Sequence, residues 1–280
     1  MNLFYFIGMS LNVLFLGEIV GRAGIACLKK GLKGLKQKYE ADLCIANGEG
    51  TTNGFGLGFP HSVQLSKLGI DVITGGEKLY YKPDLVENIA KCSYIIRPAN
   101  YPPQSPGRAY RILNIKDRKI AVTNFLSSSG FSRSSANNPF TQADFLISKL
   151  KEENDIVLVQ FHCATTAEAA TFAHFLDGKA AAVIGTHNKV LTADAAVLEK
   201  GTAFISDNGR CGSALSVGGL DESTEIEKFL KALPLRSREA WRDGQIQGVL
   251  VRINEENGLA ESIIPVIENV KIEKPEEKHD

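Results

Sequence analysis

Short apolar runs alternate along this chain with stretches in which apolar residues recur every three or four positions. Residues 12–16, 43–46, 71–74, 119–124, 155–160 and 181–184 are short and apolar, and most end in glycine, asparagine or another polar residue, which predicts buried strands. Leu28, Leu32 and Leu35 share one face of a helix whose other face carries lysines, and residues 61–68 read as a second helix. Strands alternating with helices imply a mainly parallel sheet covered on both faces. Residues 248–253 alternate apolar and polar positions, as an antiparallel strand does.

The N-terminus, residues 1–17, is apolar enough to suggest a signal peptide. It has no Lys or Arg at its start and no small-residue cleavage site, and it is short for a membrane span. The expected organisation is an N-terminal extension over residues 1–11 (with Met9 as an internal start), one domain over 12–270 and a charged, fraying tail over 271–280. Neither a domain-sized linker nor an internal repeat interrupts the 280 residues. No membrane association is expected.

Charge narrows the function. Thirty-two basic and 32 acidic residues give zero net charge, so bulk electrostatics give no support for general nucleic-acid binding, while leaving a local basic patch open. The five cysteines are scattered and never form a C-x-x-C pair, which reads as reduced thiols in a cytoplasmic protein. Cys163, although next to His162, is expected to be a buried spectator.

The polar residues Glu18, Glu49, Glu77, Lys78, His162 and His187 each follow a predicted strand. In open α/β sheets the ligand crevice lies at the carboxyl ends of the strands, so five segments are expected to deliver carboxylates and imidazoles to one edge. Each residue alone has a plainer reading: Glu18 as a helix cap, Glu49 as a turn residue, either histidine as a hydrogen-bonded core residue. Their recurrence at strand ends favours a shared site of mixed oxygen and imidazole donors, suited to a divalent metal. His61 and His174 lie in predicted helices and His279 in the tail; they are assigned to packing or surface. The glycine-rich segment 54–58 lacks the lysine of a phosphate-binding P-loop and reads as a lid beside the site. Residues 127–139 are the most loop-like stretch, and Ser127 to Ser129 lack the strand–elbow–helix setting of a nucleophile.

The blocks FLGEIVG (15–21), IANGE (45–49), RPAN (97–100), FH (161–162), GTH (185–187) with TAD (192–194), and KGTA (200–203) occur in order. Together they resemble the YmdB-like family of bacterial metallophosphoesterases, within the calcineurin-like superfamily, over about residues 12–267. The resemblance implies a layered α/β metallophosphoesterase-like fold with mainly parallel or mixed sheets covered by helices. It also implies a cytoplasmic homo-oligomer, a two-metal site holding iron or manganese, and hydrolysis of small phosphodiesters such as cyclic nucleotides.

The bridging glutamate of the family falls on Glu49. The other first-metal positions fall on Glu18, Gly50 and Lys189, and the second-metal positions on Glu77, His162 and His187. The family's catalytic histidine falls on Lys78. Gly50 has no donor side chain, and an ammonium at Lys189 cannot ligate a metal while protonated. The first site is therefore expected to be lost, with Lys189 lying against Glu18 and Glu49 in place of the ion. The second site keeps a closable set, so one ion or none per chain is expected. Lys78 can serve as a general acid only if its pKa is strongly depressed, whereas it can bind phosphate as a point charge at any ordinary value, as can Lys189. Two functional classes follow: an impaired or single-metal phosphodiesterase, or an inactive homologue that senses a nucleotide or phosphate or binds a protein.

Overall fold

In a computed structural model, residues 10–131 and 135–276 are described. Most of the expected extension and the end of the tail, His279 included, lie outside that range. Ser10 and Leu11, placed in the extension by sequence, instead belong to the first strand.

The chain first lays down β1 (Ser10–Leu16), β2 (Glu18–Ile19), β3 (Leu43–Asn47), β4 (Val72–Thr74) and β5 (Ile95–Ile96). It then builds a second sheet from β6 (Tyr110–Ile115), β7 (Arg118–Leu126), β8 (Ile156–His162), β9 (Ala182–Thr186), β10 (Ala196–Val197) and β11 (Ala203–Ile205). Finally β12 (Arg210–Ser213), β13 (Gly244–Asn254) and β14 (Ala260–Val270) return to the first sheet. The helices are α1 (Gly21–Lys38), α2 (Phe59–Lys67), α3 (Pro83–Asn88), α4 (Pro139–Glu153), α5 (Thr166–Phe175) and α6 (Glu222–Lys231).

Two mixed sheets are present, as the family resemblance implied, where the alternation alone suggested one. The first runs β2-β12-β13-β1-β3-β4-β5 with β14 on the free edge of β13; the second runs β10-β11-β9-β8-β7-β6. The pairs β1–β3–β4–β5 and β7–β8–β9–β11 are parallel, whereas β13 is antiparallel to β1, as its alternating sequence implied.

The reason for the second sheet lies in how each strand is buried. Val13, Phe15, Leu43 and Ile45 of the first sheet pack with Ile120, Val122, Leu158 and Ile184 of the second. The opposite face of the first sheet (Leu14, Leu16, Cys44, Ala46) is covered by Ala23, Leu28, Leu32 and Leu35 of α1. The opposite face of the second (Phe125, Val159, Phe161) is covered by Ala143 and Ile147 of α4 and Phe172 of α5. Every central strand is therefore apolar on both sides, and a continuous apolar run does not reveal whether a helix or another sheet lies over it. All five cysteines are buried and unpaired. Residues 271–276 form no helix or strand, yet Ile272 is buried in the α1 core, so this part of the tail is anchored.

Candidate active site

The two sheets bring the carboxyl ends of β1, β3, β4, β8 and β9 together. Glu18 opens β2 after a one-residue gap; Glu49 and Glu77 follow β3 and β4; His162 ends β8; His187 follows β9. The five segments expected to converge do so, three from one sheet and two from the other.

His162 is the hub. Its Nε2 lies 2.7 Å from Glu77 Oε2, 3.5 Å from Glu49 Oε1 and 3.1 Å from His187 Nδ1. On the other side of the ring, Asn47 Nδ2 stands 3.3 Å from Nδ1. The Asn47 amide is oriented by its own Oδ1, which accepts from the Glu49 backbone N–H at 2.9 Å. Its NH2 group therefore faces Nδ1, and the ring proton belongs on Nε2, donated to Glu77. Burial opposes charge on His162, but Glu49 and Glu77 outweigh it and raise its pKa, so Nε2 keeps its proton in the absence of an ion. His187 shifts the other way: burial, then the proximity of His162, lower it to about 3 although Glu77 pulls it up, leaving it neutral with a lone pair available.

Gly76 makes the crowding possible. A Cβ there would lie 2.2 Å from His162 Cδ2 and 2.5 Å from Glu49 Oε2, so no other residue fits between the histidine and the carboxylate. Glu49 is fully buried; Oε1 accepts from the Lys78 backbone N–H at 2.8 Å, and Oε2 has no hydrogen-bond partner. Burial raises the Glu49 pKa.

Glu77, His162 and His187 form the one group of converging metal-type donors among the described residues. The separations of 3.1 Å from His162 Nε2 to His187 Nδ1 and 3.9 Å from His187 Nδ1 to Glu77 Oε1 suit donors sharing one ion, and the 2.7 Å His162–Glu77 hydrogen bond would open slightly to admit it. Ligands about 2.1 Å from a common ion stand roughly 3–4 Å apart. The orphaned Glu49 Oε2 is a further oxygen beside them. These residues fit one divalent cation.

The first-metal positions do not fit a second. Lys189 Nζ lies 3.4 Å from Glu18 Oε2, on a carboxylate that is 1% exposed. A Cβ at Gly50 would meet Glu18 Oε1 at 2.4 Å. The longer acid at 18 therefore fills the space that any donor side chain at 50 would need, and a cationic side chain answers its charge. The expected second contact of Lys189, with Glu49, is not made: no ion pair joins them, and the ammonium donates instead to the His187 carbonyl at 3.3 Å. The left-handed backbone of Lys189, at φ +62°, turns its side chain back across the loop.

Lys78 Nζ pairs with Glu77 Oε1 at 2.8 Å. Burial opposes its charge, but Glu18, Glu77 and Glu49 more than offset this, holding it protonated above an ordinary lysine. That is the reverse of what a proton donor at this position requires, while its role as a fixed positive charge is reinforced.

Four neighbours escaped the sequence reading. Asn47 orients His162. Buried Asp207, just beyond β11, accepts from the backbone N–H groups of Asn188 (2.6 Å), Val190 (3.3 Å) and Gly209 (2.9 Å), so it pins the loop that carries His187 and Lys189. That loop is strained, with His187 at φ +126°. Phe131, in the stretch read as loop filler, stacks on His162 (5.5 Å) and meets His187 edge-on (4.8 Å). Phe55, in the glycine-rich segment, lies 5.5 Å from Lys78 Nζ. Only the length and polarity of the two loops hinted at these contacts. Cys163 donates to Thr165 O and has a raised pKa from burial, as befits a spectator.

Residues 14–266 match the model of the YmdB-like proteins. The chain belongs to that family. A 2′,3′-cyclic-nucleotide 2′-phosphodiesterase of Bacillus subtilis is 32% identical over 259 residues, 92% of this chain and 97% of that protein. A putative phosphatase/phosphodiesterase of Mycoplasma pneumoniae is 33% identical over 268 residues, 93% of this chain and 94% of the other. The crystal structure of a Mycoplasma pneumoniae protein described as a novel phosphatase superposes with a TM-score of 0.89 at 29% identity, covering 96% of both chains. The layered α/β metallophosphoesterase-like fold is thus shared along nearly the whole chain. No helix among the described residues is long and apolar enough to cross a membrane.

Proposed function

We propose that this YmdB-like protein binds a small phosphodiester, of the 2′,3′-cyclic-nucleotide type handled by its Bacillus subtilis relative, at a site reduced to one metal, and that it turns the ligand over poorly or not at all. The observation that carries this reading is the Lys189–Glu18 contact at 3.4 Å, with Glu18 filling the room beside Gly50. A two-metal mechanism generates hydroxide and clamps an in-line displacement with both ions, and here one ion's place is taken by an ammonium.

Glu77, His162 and His187 would hold the remaining divalent cation, iron or manganese by the family resemblance, with Glu49 as the adjacent oxygen. An ion at that position polarises a phosphoryl oxygen as a Lewis acid. An ion there would take the place of the Nε2 proton of His162, so its binding would be pH-dependent. Lys78 and Lys189 add two fixed positive charges facing the crevice, and these hold a phosphate as point charges. Lys78 keeps its proton and so supplies no general acid for the leaving group; losing that step removes about 10²–10⁴ in rate.

The test is turnover. On a 2′,3′-cyclic nucleotide with Mn2+ present, wild type is expected to bind the nucleotide and to hydrolyse it slowly or at the background rate, and His162→Ala is expected to do neither above background. A wild-type rate comparable with an intact family enzyme, lost in His162→Ala, overturns the impairment.

A second reading, an ion-free nucleotide- or phosphate-sensing or protein-binding module, is favoured by one observation. Glu77 is already neutralised on both oxygens, by Lys78 at 2.8 Å and by His162 at 2.7 Å. Elemental analysis distinguishes the two.

A further inference from the structure

Beside the crevice lies a second concavity that plays no part in the reading above. Asn53 and Phe55 of the glycine-rich loop, Lys82, Lys228 of α6, and Leu235 to Ser237 beyond it enclose about 280 Å3. No carboxylate lines it. Lys228 is answered by Glu225 at 2.8 Å and donates to Ser237 Oγ. The side chains of Lys82 and Arg236, in contrast, have no hydrogen bond or ion pair among the described residues.

Phe55 joins this cavity to the crevice. It is 52% exposed, lines the cavity, and has Lys78 Nζ 5.5 Å from its ring centre. Its ring is braced by Tyr81 at 5.3 Å. Two glycines hold the loop in place. Gly54, at φ +73°, lies where a Cβ would be 2.8 Å from Leu220 Cδ2, and Gly56, at φ +89°, where it would be 3.2 Å from Lys82 Cγ. The loop is therefore seated against Lys82 and the approach to α6, with its aromatic ring presented outward. An adjoining cavity of about 270 Å3 shares Asn53, Arg236 and Ser237 and adds Arg238, together with Arg22, whose charge is answered by Glu239 in the same lining.

We propose that this cavity is a second nucleotide subsite, and that the ligand of the protein is a short single-stranded oligonucleotide whose terminal phosphodiester lies at Lys78. The inference rests on the reading that the crevice binds a phosphodiester. An outward aromatic face next to fixed cations is how single strands are held without base reading: the base stacks and the backbone phosphates meet the cations. Arg236 offers a planar fork suited to a phosphate, and Lys82 a point charge. Zero net charge does not oppose this, because the positive lining is local and the crevice carboxylates are paired by Lys78, Lys189 and His162.

The test compares a 2′,3′-cyclic mononucleotide with a trinucleotide ending in the same cyclic phosphate, by titration against wild type, the Lys82→Ala/Arg236→Ala double variant, and Lys78→Met. Wild type is expected to bind the trinucleotide about tenfold or more tightly than the mononucleotide. The double variant is expected to lose that preference with mononucleotide affinity unchanged. Its salt dependence for the trinucleotide should fall by about 1.4 in log–log slope, two single-strand phosphate contacts at about 0.7 each. Equal affinity for both ligands in wild type, or a preference that survives in the double variant, overturns the subsite. If mononucleotide binding still depends on Lys78 in that case, the crevice reading stands and only the subsite falls. If Lys78→Met alters binding of neither ligand, both fall together.

Discussion

Lys189 Nζ stands 3.4 Å from Glu18 Oε2, so an ammonium and a buried carboxylate meet at positions where the family resemblance implies first-metal ligands. The pair is coupled to a third position. Glu18 is longer by one methylene than an aspartate, and its Oε1 occupies the volume beside Gly50. Glu18, Gly50 and Lys189 thus form one packed and charge-balanced unit, so a change at any one of them is expected to strain the other two.

Breaking the unit from one side leaves a buried charge alone. Lys189→Met should lower stability by about 2–4 kcal/mol, below the full cost of orphaning a wholly buried charge because Lys189 keeps 16% exposure. Adding Glu18→Gln should recover most of that loss. Denaturant midpoints of the single and double variants measure the coupling.

Gly50→Asn alone should destabilise the protein by about 1–3 kcal/mol through overpacking against Glu18. Glu18→Asp in the same chain should relieve it. With Lys189→His and Lys78→His added, the quadruple variant should bind a second Mn2+ and hydrolyse a cyclic nucleotide faster than wild type. Failure to gain the ion despite normal folding would show that these four positions do not account for the loss.

The ion-free protein should weaken in acid. His187 titrates at about 3 in the fold, below the ordinary histidine value near 6.5. A depressed folded-state pKa means that the unfolded chain takes up the proton first, so the contribution of His187 is complete above about pH 6.5 and is lost as pH falls towards 3. In urea titrations at pH 7.5 and 5.0, His187→Gln should lose less stability than wild type on acidification. An equal loss in both proteins would assign the acid sensitivity elsewhere.

Much of this architecture was legible because strand-end polarity is a local signal. Glu18, Glu49, Glu77, His162 and His187 each close an apolar run, and the carboxyl-edge rule brings such residues together whichever sheet they occupy. The second sheet was not legible, since Val122 and Leu158 look the same under a helix as under another sheet. Nor was Asp207, whose part in pinning the His187 loop depends on backbone amides 17 to 19 positions upstream. Phe131 and Phe55 were hidden for a related reason: a loop aromatic's target is set by tertiary placement rather than by periodicity. The direction of the Lys78 pKa depended on three carboxylates from three strand ends converging on one ammonium.

The central claim is a site for one ion where the family has two. Elemental analysis of Mn2+-loaded, desalted protein tests it most directly, with His162→Ala measured in parallel. The account predicts about one Mn2+ per chain in wild type, one position of the two-metal template, and none in the variant. Two ions per chain, or none in wild type, would contradict it.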